Sequence, residues 1–331
     1  MTTLVFCNEK AGSFESCSQE MGDISECLSE LTGEPSIITD VKRVTDEQMS
    51  KASRAIAMGG DGTVGQVLAR IAKHNLAFPD RRVPVGIIAA GTGNLLADTL
   101  GLKAENPQDS LALALKAIET KRTFAMDMGQ ANGTPFALDF AVGPIAMAVT
   151  EPGKMEKGSH GMYSYVRPLM KAMFGRPYRF SIEADGYKIV CDASAIFITN
   201  PHEMGIGQRG DASSLRDGNL NMLILDPQNL DEYVGIAMRF GAWFLGSAET
   251  DTTPYKSFDV KKVRIEALHE LSTPQLLSSA LPLPQEPVTE VVPKDDQPAT
   301  IIDGDEFGTT PAVVSVLPGA VDVYVPLSTT V

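Results

Sequence analysis

Twice in quick succession, an apolar run stops on a cluster of glycine, threonine and one polar side chain, then passes directly into a helical pattern. The first is "RAIAMGGDGTVGQVLARI", where a strand closing at Met58 meets Gly59, Gly60, Asp61, Gly62 and Thr63, and Val64, Val67, Leu68 and Ile71 then follow helical spacing. The second is "VGIIAAGTGNLLADTLGL", with a strand at Val85–Ile88, then Gly91, Thr92, Gly93 and Asn94, then a helix. Glycine is among the costliest residues to order, so such clusters need a reason. A strand opening into a helix places backbone amides at the helix N-terminus, where the macrodipole favours an anion. Without Cβ atoms, Gly59, Gly60 and Gly62 let a phosphate chain come close. Asp61 would repel a bare phosphate and makes better sense if a divalent cation mediates. Thr63 adds a hydroxyl for phosphate or for capping. One such corner reads equally well as a tight turn capped by Asp61; two in one sheet can converge on one polyphosphate.

The rest of the chain sets the frame for these corners. "TLVFC", "SIITD", "RAIAM" and "VPVGIIAA" read as buried strands separated by helical patterns, and "ENPQDSLALALKAIET" as a helix with Asn106 as N-cap and Pro107 in its first turn. Alternation of this kind implies a parallel sheet covered by helices, with ligands beyond the carboxyl ends of the strands. From about Thr123 the texture changes to strand-like runs joined by Gly, Asn, Asp and Pro turns, with helices expected only near 159–174 and 230–247. We therefore expect an α/β nucleotide-binding domain over 1–123 and a β-rich, sandwich-like domain over 124–331. A proline-rich insertion at about 272–299 interrupts the second domain.

Among 331 residues, 42 acidic against 28 basic side chains give a formal charge of −14, which argues against nucleic acid as partner. An anionic ligand must then meet a local basic or amide-lined site. Cys7, Cys17, Cys27 and Cys191 have neither CxxC nor Cys/His ligand spacing, so reduced thiols are expected rather than zinc or a disulfide framework. His74, His160, His202 and His269 are scattered without ligand spacing. "MTTLVFCNEK" lacks a charged segment followed by a long apolar one, and no window approaches a membrane span, so a cytoplasmic location is expected.

"GGDGT" followed by "GTGN" at this separation resembles the diacylglycerol-kinase catalytic superfamily, which includes sphingosine kinases, ceramide kinases and bacterial lipid kinases. The fold implied is the α/β domain shared with NAD kinases plus a β-rich partner. The resemblance runs along most of the chain. "FCNEKAGS" looks like the opening strand and nucleotide loop, with Asn8 and Gly12 matching and Glu9 where proline is usual. Thr39 matches a threonine placed near ATP. "FAMDMG" supplies Asp127, "KGSHGMYSY" resembles a Lys…Gly…Tyr segment, "SSLRDGNLNMLIL" an Asp-Gly-x-Leu segment, and "IIDGDEFGTTPAVVSVLPGAVDVYVP" the final hairpin. "GGDGT" alone is shared with NAD kinases and phosphofructokinases; the later elements favour lipid kinases. The chain departs from the pattern at Gly65 and Gln66, where Asn-Glu is common, at Leu95, where Asp is common, and at Asp305, where glutamate is usual.

What the resemblance implies is an ATP- and Mg²⁺-dependent transfer of the γ-phosphate to a lipid hydroxyl, on diacylglycerol or a related lipid. Asn8, Gly12, Thr39, Gly59, Gly60, Asp61, Gly62, Thr63, Val64, Gly65, Gly91, Thr92, Gly93 and Asn94 would hold ATP. Asp61 would organise Mg²⁺ over the phosphates, with Asp127 in that ion's water network, and Asp305 would be the base, with Glu306 and Asp303 nearby. A carboxylate is the right chemical type, though one methylene shorter than glutamate. "LRDGN" would hold a structural divalent ion through Asp217, with backbone oxygens near Ser214 and Asn219; a plain Asp-Gly turn explains it equally well.

For the acceptor, Lys154, Lys157, Arg167, Lys171, Arg176 and Arg179 stand against Glu156 alone, interleaved with apolar residues such as Met162, Tyr163 and Phe174. That pattern fits either a surface lying on anionic lipid at the inner face of a membrane or an ordinary packed helix. Phe240, Trp243 and Phe244 suit a core or the wall of a lipid slot. The partners expected are a lipid substrate, peripheral contact with membrane and a second copy of the chain in a homodimer. The competing readings are an NAD-kinase-like activity on a soluble hydroxyl and a catalytically silent lipid- or nucleotide-binding protein.

Overall fold

The structure, a computed structural model, describes residues 2–7, 24–91, 94–150, 177–200, 212–229, 231–232, 235–236, 255–270 and 297–329. Asn8, Gly12, Thr92, Gly93, the basic segment up to Arg176, the aromatic cluster at 240–244 and the proline-rich stretch up to 296 lie outside the described residues.

Strands β1 (Thr2–Cys7), β2 (Ser36–Asp40), β3 (Ala52–Gly59) and β4 (Val85–Ala89) pair in the order β2-β1-β3-β4, every pairing parallel. The central residues of β1 and β3 are buried on both faces and β4 is buried throughout, as strands covered on both sides require, whereas Ile37 and Ile38 of the edge strand β2 are exposed. Helices α1 (24–32), α2 (Asp46–Lys51), α3 (Asp61–Ala77), α4 (Leu95–Thr99) and α5 (Pro107–Thr120) connect them or follow them. The α5 start is the expected one: Asn106 Oδ1 accepts the Asp109 N–H at 2.8 Å, with Pro107 in the first turn.

Beyond β4 the sheet continues through strands far away in sequence. The last strand, β16 (Ala312–Tyr324), lies parallel to β4, with Val323 opposite Val85. It also pairs antiparallel with β5 (Thr123–Ala131) and with β13 (Lys262–Glu270), and β13 leads on to β8 (Tyr178–Ala184) and β9 (Tyr187–Ala193). With β6 (Thr134–Phe136) paired to β5, this makes ten strands. The C-terminal strand is clamped to the first unit: Arg82 donates to Asp322 Oδ2 at 2.6 Å and to Gly319 O at 2.7 Å. Asn75 of α3 bridges the Val83 N–H and the Ala320 carbonyl.

A second, six-stranded sheet comprises β12 (Tyr255–Val260), β11 (Leu220–Leu225), β10 (Ala195–Thr199), β7 (Asp139–Val142), β14 (Ala299–Ile302) and β15 (Asp305–Thr309), all antiparallel. A separate core lies between the sheets, with Phe140, Ile196 and Met222 on one side and Phe180, Ile265 and Val314 on the other. Short helix α6 (Pro144–Thr150) follows β7. No helix among the described residues is long and apolar enough to cross a membrane.

Candidate functional site

Because β3 and β4 are adjacent and parallel, the two glycine corners leave the same edge of the sheet side by side. Ala90 N–H bonds the Gly59 carbonyl at 3.0 Å, so the exits are tied from the start. Gly60 and Gly91 then pack backbone to backbone: a Cβ on Gly60 would lie 3.2 Å from Gly91 Cα, and one on Gly91 would collide with Gly60. The glycines here answer a close approach of two chains as well as any approach of a ligand. Gly91→Ala should therefore cost roughly 1–3 kcal/mol of overpacking and shrink the melting shift expected on adding ATP, the ligand that the sequence resemblance implies. Thermal melts with and without ATP measure both, and a parent-like pair of curves would show that the corner yields.

Gly60 is the N-cap of α3 and brings no side-chain acceptor. Its carbonyl takes the N–H groups of Thr63 and Val64, each at 3.0 Å, while the amides of Asp61 and Gly62, first in the helix, have no intrahelical partner. They are the donors an anion would meet. Thr63 and Val64 are buried, and the Thr63 hydroxyl packs under Gly59, 2.9 Å from where a Cβ would be. Thr39 ends up half-buried at the carboxyl end of β2, opposite Phe6, two strands from β3.

In the second corner Asn94 adopts a left-handed conformation, φ 54°, and closes the loop on Gly91, accepting its N–H at 2.9 Å and donating to its carbonyl at 2.6 Å. Asp61 reaches across to it: Asp61 Oδ1 accepts the Leu95 N–H at 2.7 Å. Asp61 is thus the strut that joins the corners. Burial pushes its carboxyl above the ordinary carboxylate range, opposed by the amides of Leu95, Leu96 and Asn94 and by the Lys103 ammonium. A desolvated carboxylate beside free amides is a place where a cation bound to phosphate would relieve a standing penalty. A hard divalent ion that takes one or two carboxylates plus phosphate oxygens fits that donor set. Lys103, paired at 3.9 Å with Asp98, is a cation near the corner that sequence reasoning passed over; it lies after α4, where nothing in the local pattern marks it.

The other part of the site comes from the six-stranded sheet. Ile302 pairs with Asp305, leaving Asp303 and Gly304 as a two-residue turn with φ 47° and 83°, the Asp-Gly form of a type I′ hairpin. Asp303 fastens this turn: its carboxylate accepts the N–H groups of Ala137 (2.9 Å), Leu138 (2.8 Å) and Asp139 (3.1 Å), and its own N–H bonds the Asp139 carbonyl at 2.9 Å. The turn rests on α3 at Gly65, where a Cβ would lie 2.8 Å from Asp303 Oδ2. Gly65 is four residues after Asp61 and shares its helix face. Asp305, exposed at the start of β15, follows Asp303 by two residues, and Asp303 meets α3 one helical turn beyond the corner strut Asp61.

The two other acids expected at metal sites, Asp127 and Asp217, each accept backbone N–H groups. Asp127 is buried, and each carboxylate oxygen accepts a backbone N–H, from Gly319 at 2.6 Å and Gly218 at 2.8 Å. It staples the 217–219 turn to β16, and none of these contacts is with the corners. Asp217 is exposed and accepts the Asn219 N–H at 2.8 Å within its own turn, beside the short helical turn Ala212–Leu215 that contains Ser214. Among the described residues no three His, Cys, Asp or Glu side chains gather as a metal cluster.

Residues 2–131 match the family model for the diacylglycerol kinase catalytic domain. The chain is 31% identical over 213 residues, 63% of its length, to the probable lipid kinase YegS-like of Pectobacterium atrosepticum, and covers 67% of that protein. It is 29% identical over 185 residues to the diacylglycerol kinase of Bacillus subtilis, where 55% of this chain meets 58% of that one. The crystal structure of a diacylglycerol kinase from Bacillus anthracis str. Sterne superimposes with a TM-score of 0.63 at 17% identity, covering 99% of this chain and 98% of that one, a likeness of fold.

Proposed function

Since the chain belongs to the diacylglycerol kinase catalytic-domain family, and is a lipid kinase on that ground, we propose that it transfers the γ-phosphate of ATP to a lipid hydroxyl, with diacylglycerol or a related lipid as acceptor. The observation that carries this reading is the convergence of two glycine corners, joined through Asp61, with the hairpin bearing Asp305 docked one turn along α3.

Phosphoryl transfer asks for positioning and charge neutralisation more than for covalent chemistry. The free amides at the start of α3 hold phosphate oxygens, and Gly59, Gly60, Gly62 and Gly91 keep side chains out of the way. Asn94 holds the second corner in shape. Asp61 is the residue that would hold Mg²⁺, which neutralises charge on the phosphates when bound. Asp305 accepts the proton of the acceptor hydroxyl as its oxygen attacks the γ-phosphorus, and ADP leaves. In this proposal residues 1–123 serve the nucleotide and 124–331 the lipid, the enzyme working from the cytoplasm on the inner face of a membrane through its basic segment.

The test is transfer of labelled phosphate from ATP into a total bacterial lipid extract, followed by product identification, with NAD as parallel acceptor. A labelled phospholipid is the expected product; labelled NADP alone, or ATP binding without product, would overturn the reading. In the same assay Asp305→Asn should lower the maximal rate by roughly 10²- to 10⁴-fold and leave the KM for ATP within about twofold. An unchanged rate would move the base elsewhere.

A further inference from the structure

Gly65 occupies the second turn of a regular helix, where glycine is destabilising relative to alanine. The space its side chain would take is filled from another sheet. A Cβ at Gly65 would lie 2.8 Å from Asp303 Oδ2 and 3.4 Å from its Cγ.

Each partner in this contact is anchored within its own element. Asp303 is held by three amides and by its own N–H, in a two-residue turn whose length fixes the pairing of Ile302 with Asp305. The helix is held by Val64, Val67 and Leu68, all in the core of the first unit. The closest approach of α3 to the hairpin turn is therefore where a carboxylate rests on a bare Cα. Asp305 follows Asp303 by two residues and moves with it, and Asp61 precedes Gly65 by one turn on the same face. This contact, together with the packing of α3 on β6 and β16, sets the distance from the Asp305 backbone to the corner. Asp305 itself has the shortest stem an acidic side chain can have, a single methylene.

We infer that Gly65 and Asp303 form a spacer matched to an aspartate at position 305: the bare helix face lets the hairpin sit close enough for the short acid to reach the acceptor oxygen. Both are positioning residues acting through Asp305, and the inference rests on Asp305 being the base.

The experiment compares the full chain with Gly65→Ala, Asp305→Glu, the double variant and Asp305→Asn, by phosphate transfer into total lipid extract, KM for ATP and thermal melting. Displacement of about 1 Å can cost on the order of 10²-fold in rate. Each single change is expected to lower the maximal rate at least tenfold with the KM for ATP within twofold. The double variant, pushed back by a methyl and extended by a methylene, should be faster than either single one. Losses that simply multiply would overturn the spacer, as would Asp305→Glu running at the parent rate. That second criterion decides alone if Gly65→Ala melts far below the parent. Full activity in Asp305→Asn would remove the base and the spacer together; an inactive Asp305→Asn with multiplying losses would remove the spacer only.

Discussion

Asp61→Asn should leave the fold melting like the parent and reduce phosphate transfer by roughly 10²- to 10³-fold, the loss seen when one electrostatic stabiliser of a transition state is removed. The substitution isolates charge from architecture. The Asn oxygen can still accept the Leu95 N–H that ties the corners, and Asn94 still closes its loop on Gly91. What disappears is the negative charge that burial holds at a cost beside the free amides. Melting together with labelled-phosphate transfer measures the two consequences separately. Near-parent turnover would show that Asp61 serves only as the strut. A collapsed melting temperature would show that its charge is needed to cap α4, whose first turn it faces. Asp61→Ala sharpens the comparison, because it removes strut and charge together and should lose stability as well as rate.

Legibility in the sequence followed the range of the interactions. The corners were readable because each is written in consecutive residues, and their adjacency followed because strands joined by single helices in a parallel sheet tend to be neighbours. The terminal turn was readable for the same reason: Asp-Gly between apolar runs encodes a two-residue hairpin. The insertion of β16 beside β4 was not readable. It brings residues 312–324 against a strand at 85–89 through contacts such as Arg82 with Asp322, and nothing local to either segment announces the other. Asp127 illustrates the same limit. Its acidic character is visible, whereas the Gly218 and Gly319 amides that engage it lie some 90 and 190 positions away. Gly65 looked like a departure from a motif; only the hairpin resting on it gives its missing side chain a reason.

The second large effect concerns stability. Asp139 is buried at the start of β7, and its carboxyl is pushed up to about 8 by burial first and by repulsion from Asp303 second. Burial raises Asp303 as well, but three N–H groups favour its anion, so the proton that this pair retains sits on Asp139. Below about pH 4 both folded and unfolded chains hold that proton, and no stability depends on it. Between about 4 and 8 only the folded chain holds it, so stability falls as pH rises, and the decline ends above about 8. From pH 6 to pH 9 the loss from this group should be roughly 2–3 kcal/mol at 1.36 kcal/mol per unit. Asp139→Asn replaces the titrating acid by a neutral amide that can donate to Asp303, so the variant should match the parent near pH 4, exceed it increasingly up to about pH 8, and hold that margin to pH 9. Denaturant unfolding across that range measures the difference. Asp226, pushed up to about 7 by burial and by Asp192, titrates in the same window but is common to both proteins and cancels in the subtraction. A parent-minus-variant difference that stays flat from pH 5 to pH 9 would mean that Asp139 is ionised throughout, and the hairpin that carries Asp305 would then be held against a full like-charge repulsion rather than relieved of it.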